Sequence, residues 1–271
     1  RPANDCRRRP GRLLESNPHA RVCSCDVGLN AGTKGAVVEL NAETDFVARN
    51  TEFQEFASAL ASIALEVADL DALNGADFPG TGRIVSEELT QKIATIGENM
   101  TLRRAANVFV SNGALASYVH SAVAPGRGKI GVLVGLESDA DTDKLAELGK
   151  QLAMHIAATK PLAVSQNDLD QTEVEREKAV LSEQARESGK PEEIIEKMVI
   201  GRLRKYYDEV CLLDQTFVID GETTISDVLA KAGKELGAPV SIGGFALMVL
   251  GEGIEKKEED FAAEVAAVAG G

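Results

Sequence analysis

The dipeptide Asn112-Gly113 constrains this chain more than any other short feature. It stands between "TLRRAANVFV" and "ALASYVH", two runs of strand composition. Asn-Gly is the pair that most readily takes the positive φ angles of a tight hairpin turn. Beyond it, "PGRG" leads into "KIGVLVGL", which reads as a third strand of one antiparallel meander. A meander whose neighbouring segments are helical predicts an α+β fold, with helices on one face of an antiparallel sheet.

Those helices are legible on the N-terminal side. "AVVEL" is a short strand by its β-branched content, and after it Phe53, Phe56, Ala57, Leu60, Ile63, Ala64 and Val67 recur at helical spacing. Thr51 with Gln54 has the form of a capping box for this helix. A loop, "LNGADFPGTG", precedes a second helix opened by Ser86 and stopped by Gly97, with Leu89, Ile93 and Ile96 on one face.

A second α+β unit is expected from about Asp141. Leu145, Leu148, Leu152 and Ile156 are helically spaced until Pro161 stops the run, and strands are expected at "TFVID" and "GFALMVLGEGIE". Between them two charged helices are separated at Gly189-Lys190-Pro191. Their narrow apolar stripe of Val174, Leu181, Ile195, Met198 and Leu203 predicts a projecting helical hairpin. The expected organisation is a leader over 1–31, a first subdomain over 32–138 and a second over 139–171 and 209–257. The hairpin is inserted at 172–208, and a short C-terminal helix at 258–271 is anchored by Phe261.

Charge marks the leader. Residues 1–34 carry a balance of +4 in a chain of net −14, which leaves −18 for the rest, and they hold Cys6, Cys23 and Cys25. A transit peptide would have an apolar face, and zinc modules space their ligands differently, so a leader without a packed core is the expectation. Only Cys211 remains in the body, which fits a reducing compartment. The acidic balance argues against a direct nucleic-acid partner, because phosphate contacts need clustered Lys and Arg. No apolar run is long enough for a membrane helix.

No catalytic constellation is visible. The chain has three His and lacks a His/Glu metal motif, a GxSxG elbow and a phosphate-binding GxxxxGK[ST] loop. "PGRGKIG" has glycines but joins two strands, so it is read as a turn. No cofactor, metal or enzymatic activity is expected. One stretch stands out instead: in "NAETDFVARN" Phe46 lies at the elbow between strand and helix, either packed inward or offered to something else. His120, on the same face of its strand as Tyr118 by alternation, is by itself an ordinary strand His.

Five stretches, "ELNAETDFVARN", "IGENMTLRRA", "AMHIAATKP", "SGKPEEIIEKMVIGRL" and "GEGIEKKEEDFAAEVAA", occur in order from Glu39 to Ala267. Together they resemble the translation elongation factor Ts family, the guanine-nucleotide exchange factors of elongation factor Tu. The resemblance implies that Phe46, flanked by Thr44, Asp45 and Val47, enters between two helices of the partner's G domain and disturbs its Mg²⁺ and phosphate loop. It implies a further G-domain contact for His120, in "SYVH". The second unit and the hairpin would touch other parts of elongation factor Tu or mediate self-association into a homodimer. The setting implied is the bacterial cytoplasm, an organellar matrix being the lesser alternative. Residues 1–31 do not match the family's opening module, and the abrupt change at about Gly32 reads as a truncated or out-of-frame beginning. The alternative function is an adaptor without exchange activity.

Overall fold

The computed structural model describes residues 22–30, 33–187 and 189–254, and the C-terminal helix expected around Phe261 lies outside them. Six strands form one sheet: β1 (Val22–Asn30), β2 (Lys34–Ala42), β3 (Met100–Phe109), β4 (Gly113–Ala124), β5 (Arg127–Glu137) and β6 (Ser241–Val249). Between β2 and β3 run the helices α1 (Asp45–Ala48), α2 (Thr51–Ala64), α3 (Leu70–Gly75) and α4 (Val85–Ile96). Then come α5 (Thr142–Thr159), the hairpin α6 (Gln171–Arg186) and α7 (Glu192–Val210), and α8 (Ile225–Leu236). The α+β class is as expected.

The strands fall into two antiparallel sets of three. β3, β2 and β1 pair in that order; β4, β5 and β6 pair around β5; and the sets meet where Cys25 and Asp26 of β1 pair with Gly128 and Arg127 of β5. Alternation along β2 sorts its side chains between two cores. Ala36, Val38, Leu40 and Ala42 pack with Phe53, Phe56 and Leu60 of α2, whereas Val37 packs on the other face with Val108, Val110, Leu115, Leu133, Ala246 and Met248. The two sets therefore lie face to face, with α2 outside the first. On the second, Leu145, Leu152 and Ile156 of α5 pack with Val132, Val134 and Leu136.

Three expectations are corrected here. The first is the hairpin at Asn112-Gly113. β3 pairs with β2 and β4 with β5, so this dipeptide ends a crossing from one set to the other. The turn chemistry is nevertheless used. Gly113 has φ 133°, and a Cβ on it would stand 2.0 Å from the Leu136 carbonyl oxygen, so only glycine lets β4 come this close to β5. The side chain of Asn112 donates to Asp139 Oδ1 at 2.5 Å. The two strand sets thus divide between β3 and β4.

The second correction is the leader. Val22–Asn30 is a strand paired along its whole length with β2, from Val22–Ala42 to Asn30–Lys34. Read as possible metal ligands, Cys23 and Cys25 hide the period-two alternation of Cys23, Cys25, Val27 and Leu29 with Ser24, Asp26 and Gly28. The third is "TFVID". It forms no strand, and its turns are held by a bridge from Thr216 to Thr224 and by Phe217 N–H donating to the Thr223 carbonyl at 2.7 Å.

The charged hairpin forms as its stripe predicts. Val174, Ala185, Ile195 and Val199 are buried along it, and the break comes at Gly189, with φ 67°, before Pro191 as the N-cap of α7. Gly97 ends α4 in the left-handed conformation, as expected.

Candidate functional site

The elbow after β2 follows from how that strand ends. β2 is buried from Gly35 to Ala42; the chain then leaves the sheet and makes the single helical turn α1 before α2 starts. Successive residues of a helix differ by about 100° in direction, so one turn cannot bury all its side chains against one core. Val47 and Ala48 face inward, at 6% and 2% exposure, while Asp45 and Phe46 face out. Phe46 is 80% exposed, the highest among the exposed large hydrophobic residues described. Val47, expected beside Phe46 as a contact, is buried in the first core and anchors the elbow from within.

The elbow is tied at both ends. At its N-terminal end Thr44 is the N-cap residue of α1, yet its side chain makes no capping bond there. Its hydroxyl donates to Glu98 Oε1 at 2.6 Å and its N–H to Glu98 Oε2 at 3.0 Å. At the C-terminal end Asn50 caps α2, accepting from the Glu52 and Phe53 N–H groups at 2.7 and 3.4 Å. The cap is therefore one residue earlier than Thr51. Gln54, freed of a capping-box role, donates to the Ala48 carbonyl at 3.0 Å and accepts from Arg127 of β5 at 3.1 Å.

His120 lies on the other strand set, exposed on β4, with its Nδ1 3.1 Å from the Tyr118 hydroxyl, as the alternation anticipated. Arg127 belongs to the β4–β5 hairpin that carries His120 and reaches Gln54 and Ser58 on α2, so a bridge joins the structures that bear His120 and Phe46.

A buried His was missed by the sequence reading. His155 is fully buried on α5; its Nδ1 accepts from the Val218 N–H at 3.3 Å, which puts the proton on Nε2 for donation to Gln215 Oε1 at 2.9 Å. Burial lowers its pKa, against the smaller opposing effect of the Gln215 bond. It thereby holds the loop on which Val218 and Ile219 are 47% and 52% exposed. Its signal was available in "AMHIAATKP", where it falls one residue before Ile156 on the apolar face of α5.

Comparison with known proteins assigns these features to a family. A family model described as "Elongation factor TS" matches residues 43–252, from the residue before Thr44 through β6. The chain belongs to the elongation factor Ts family. Among family members, Elongation factor Ts of Paramagnetospirillum magneticum is 59% identical over 241 residues, 89% of this chain and 77% of that protein. That of Rhodospirillum rubrum is 60% identical over 239 residues, 88% of this chain and 77% of the relative. The Elongation factor Ts of Magnetococcus marinus is 50% identical over 273 residues, 99% of this chain and 88% of its own length, so that match takes in the opening segment as well. The chain is thus a translation elongation factor by family. No helix among the described residues is long and apolar enough to cross a membrane.

Proposed function

We propose that the chain is a guanine-nucleotide exchange factor that binds elongation factor Tu with GDP and speeds GDP release, so that GTP can follow. The observation that carries this is Phe46: a Phe 80% exposed on an elbow tied at both ends, inside the family match. Large apolar side chains left out of a core at the tip of a braced turn are suited to a partner's pocket, where burying one contributes roughly 1.5–3 kcal/mol. Asp45 stands beside it, exposed. In this reading Phe46 enters between two helices of the G domain and loosens the Mg²⁺ and phosphate loop.

Exchange of this kind makes and breaks no covalent bond. Factor and nucleotide each lower the other's affinity for the shared partner, and the coupling is reciprocal. The chain acts therefore as a binding protein and not as an enzyme. His120 gives a second G-domain contact at a spacing set through Arg127 and Gln54, and exposed Val218 and Ile219 provide apolar surface for a contact by the second unit. Partner and acidic charge together fit a cytoplasmic role in translation elongation. Stopped-flow release of a fluorescent GDP from elongation factor Tu tests this. Acceleration by substoichiometric amounts of the chain is expected, and binding without acceleration would make it an adaptor.

A further inference from the structure

We infer that Glu98 is a positioning residue for exchange: its carboxylate holds Thr44 and thereby fixes the direction in which Phe46 is presented. This rests on the exchange reading above and assigns it a residue that touches no partner. The register explains how Glu98 comes to be there. Ala42 pairs with Met100 as the last pair of β2 and β3 at that end, and Thr44 and Glu98 each lie two residues beyond it. They therefore stand opposite one another after the ladder has ended. Gly97, in the left-handed conformation at the end of α4, turns the chain so that Glu98 faces the elbow.

The bond pattern singles out this contact. A Thr at an N-cap ordinarily accepts a hydrogen bond from its own helix. Thr44 does not, and gives both its backbone and side-chain donors to one carboxylate. Hydrogen bonds to an ionised acceptor are about twice as strong as neutral ones. A single helical turn has little cooperative stability of its own, so its orientation depends on such ties. Val47 fixes the elbow from below and Gln54 from behind, and Glu98 holds Thr44, two residues ahead of Phe46. A wedge must arrive in one orientation, and a misplacement of about 1 Å can cost on the order of a hundredfold in rate.

The test is a double-mutant cycle between Glu98→Ala and Phe46→Ala, read by GDP release from elongation factor Tu and by thermal unfolding of the free chain. Glu98→Ala alone is expected to lower the release rate about tenfold, within the range a misplaced group costs. In the Phe46→Ala background it should lower it no further, because there is then no ring to aim. Glu98→Gln, which can still accept from one Thr44 donor, should fall between. Amide exchange of Thr44, whose N–H donates to Glu98, should quicken in Glu98→Ala while α2 and β2 keep their protection. Wild-type release by Glu98→Ala, unchanged elbow protection, or a further loss in the Phe46→Ala background would each overturn the proposal. Should Phe46→Ala release GDP like the wild type, the wedge itself fails and the role of Glu98 with it. A Phe46→Ala loss without a Glu98→Ala loss leaves the wedge standing and removes only Glu98.

Discussion

Phe46 and His155 are opposite solutions to the same constraint, that an aromatic ring in a folded chain must be covered or used. Phe46 lies outside the core at 80% exposure, so truncating it removes no packing of the free protein. Phe46→Ala should leave the melting temperature within the range of surface substitutions, a change of about 0.5 kcal/mol or less, whereas a core Phe would lose about 3–5 kcal/mol. Differential scanning calorimetry distinguishes the two. His155 is covered, and its pKa is lowered mainly by burial. The folded state thus takes up its proton less readily than the unfolded chain, whose His titrates near 6.5. Its contribution is complete above that value and is lost as the pH falls from there towards the lower folded pKa. Melting temperature measured between pH 7.5 and 5 should therefore decline with a component that His155→Gln removes.

The elements show where local signals hold and where they are redirected. Helix α2 and the hairpin α6–α7 form from their own apolar spacing, and each ends near the residues that chemistry nominates. The crossing at Gly113 is different: Asn-Gly favours a turn, but which strands flank that turn is decided by partners far away in sequence. Gly113→Ala places a Cβ against the Leu136 carbonyl at φ 133°. The cost should be about 2 kcal/mol or more in urea unfolding, because both the clash and the backbone angle are unfavourable. A loss well under 1 kcal/mol would mean that β4 can slide away from β5 without penalty.

Across the whole molecule the two strand sets are joined by an ionic cluster as well as an apolar one. Glu39 of β2 is fully buried and meets Arg103 and Arg104 of β3, the first at 2.9 Å. Its Oε1 also accepts from Gly251 N–H at 3.0 Å, Arg103 donates to the Glu252 carbonyl, and Arg104 donates to the Val249 carbonyl at 2.6 Å. The end of β6 is thereby pinned to the first set. Glu39→Gln leaves two cations facing a neutral group. The Arg side chains keep 24% and 23% exposure, so the loss should be about 2–3 kcal/mol, less than for a fully buried pair. Amide exchange at Gly251 should quicken with it, and an unchanged rate there would show that β6 is held by its apolar contacts alone.

Some of this was decided by the sequence itself. Helical periodicity and β-branched runs depend on neighbours within a few positions, and they gave α2, α4, α5, the hairpin, β2, β5 and β6, whereas the N-caps fell at Asn50 for α2 and Ile84 for α4 instead of Thr51 and Ser86. The motif around Phe46 was legible too, because a Phe ahead of a helix already rich in core residues has no local packing role. The tertiary structure alone decided pairing and ties. β3 accepts β2 and not β4 because the faces of two strand sets must be buried together, and a β-strand carries no local record of its partner. Arg103 and Arg104 should point to opposite faces by alternation, yet a bulge opposite Glu39 and Leu40 lets both reach one carboxylate. Glu98 reads as a loop residue until the register brings it opposite Thr44, 54 positions away. Hydrogen bonds across such separations depend on the chain's closure in space, which sequence spacing does not encode.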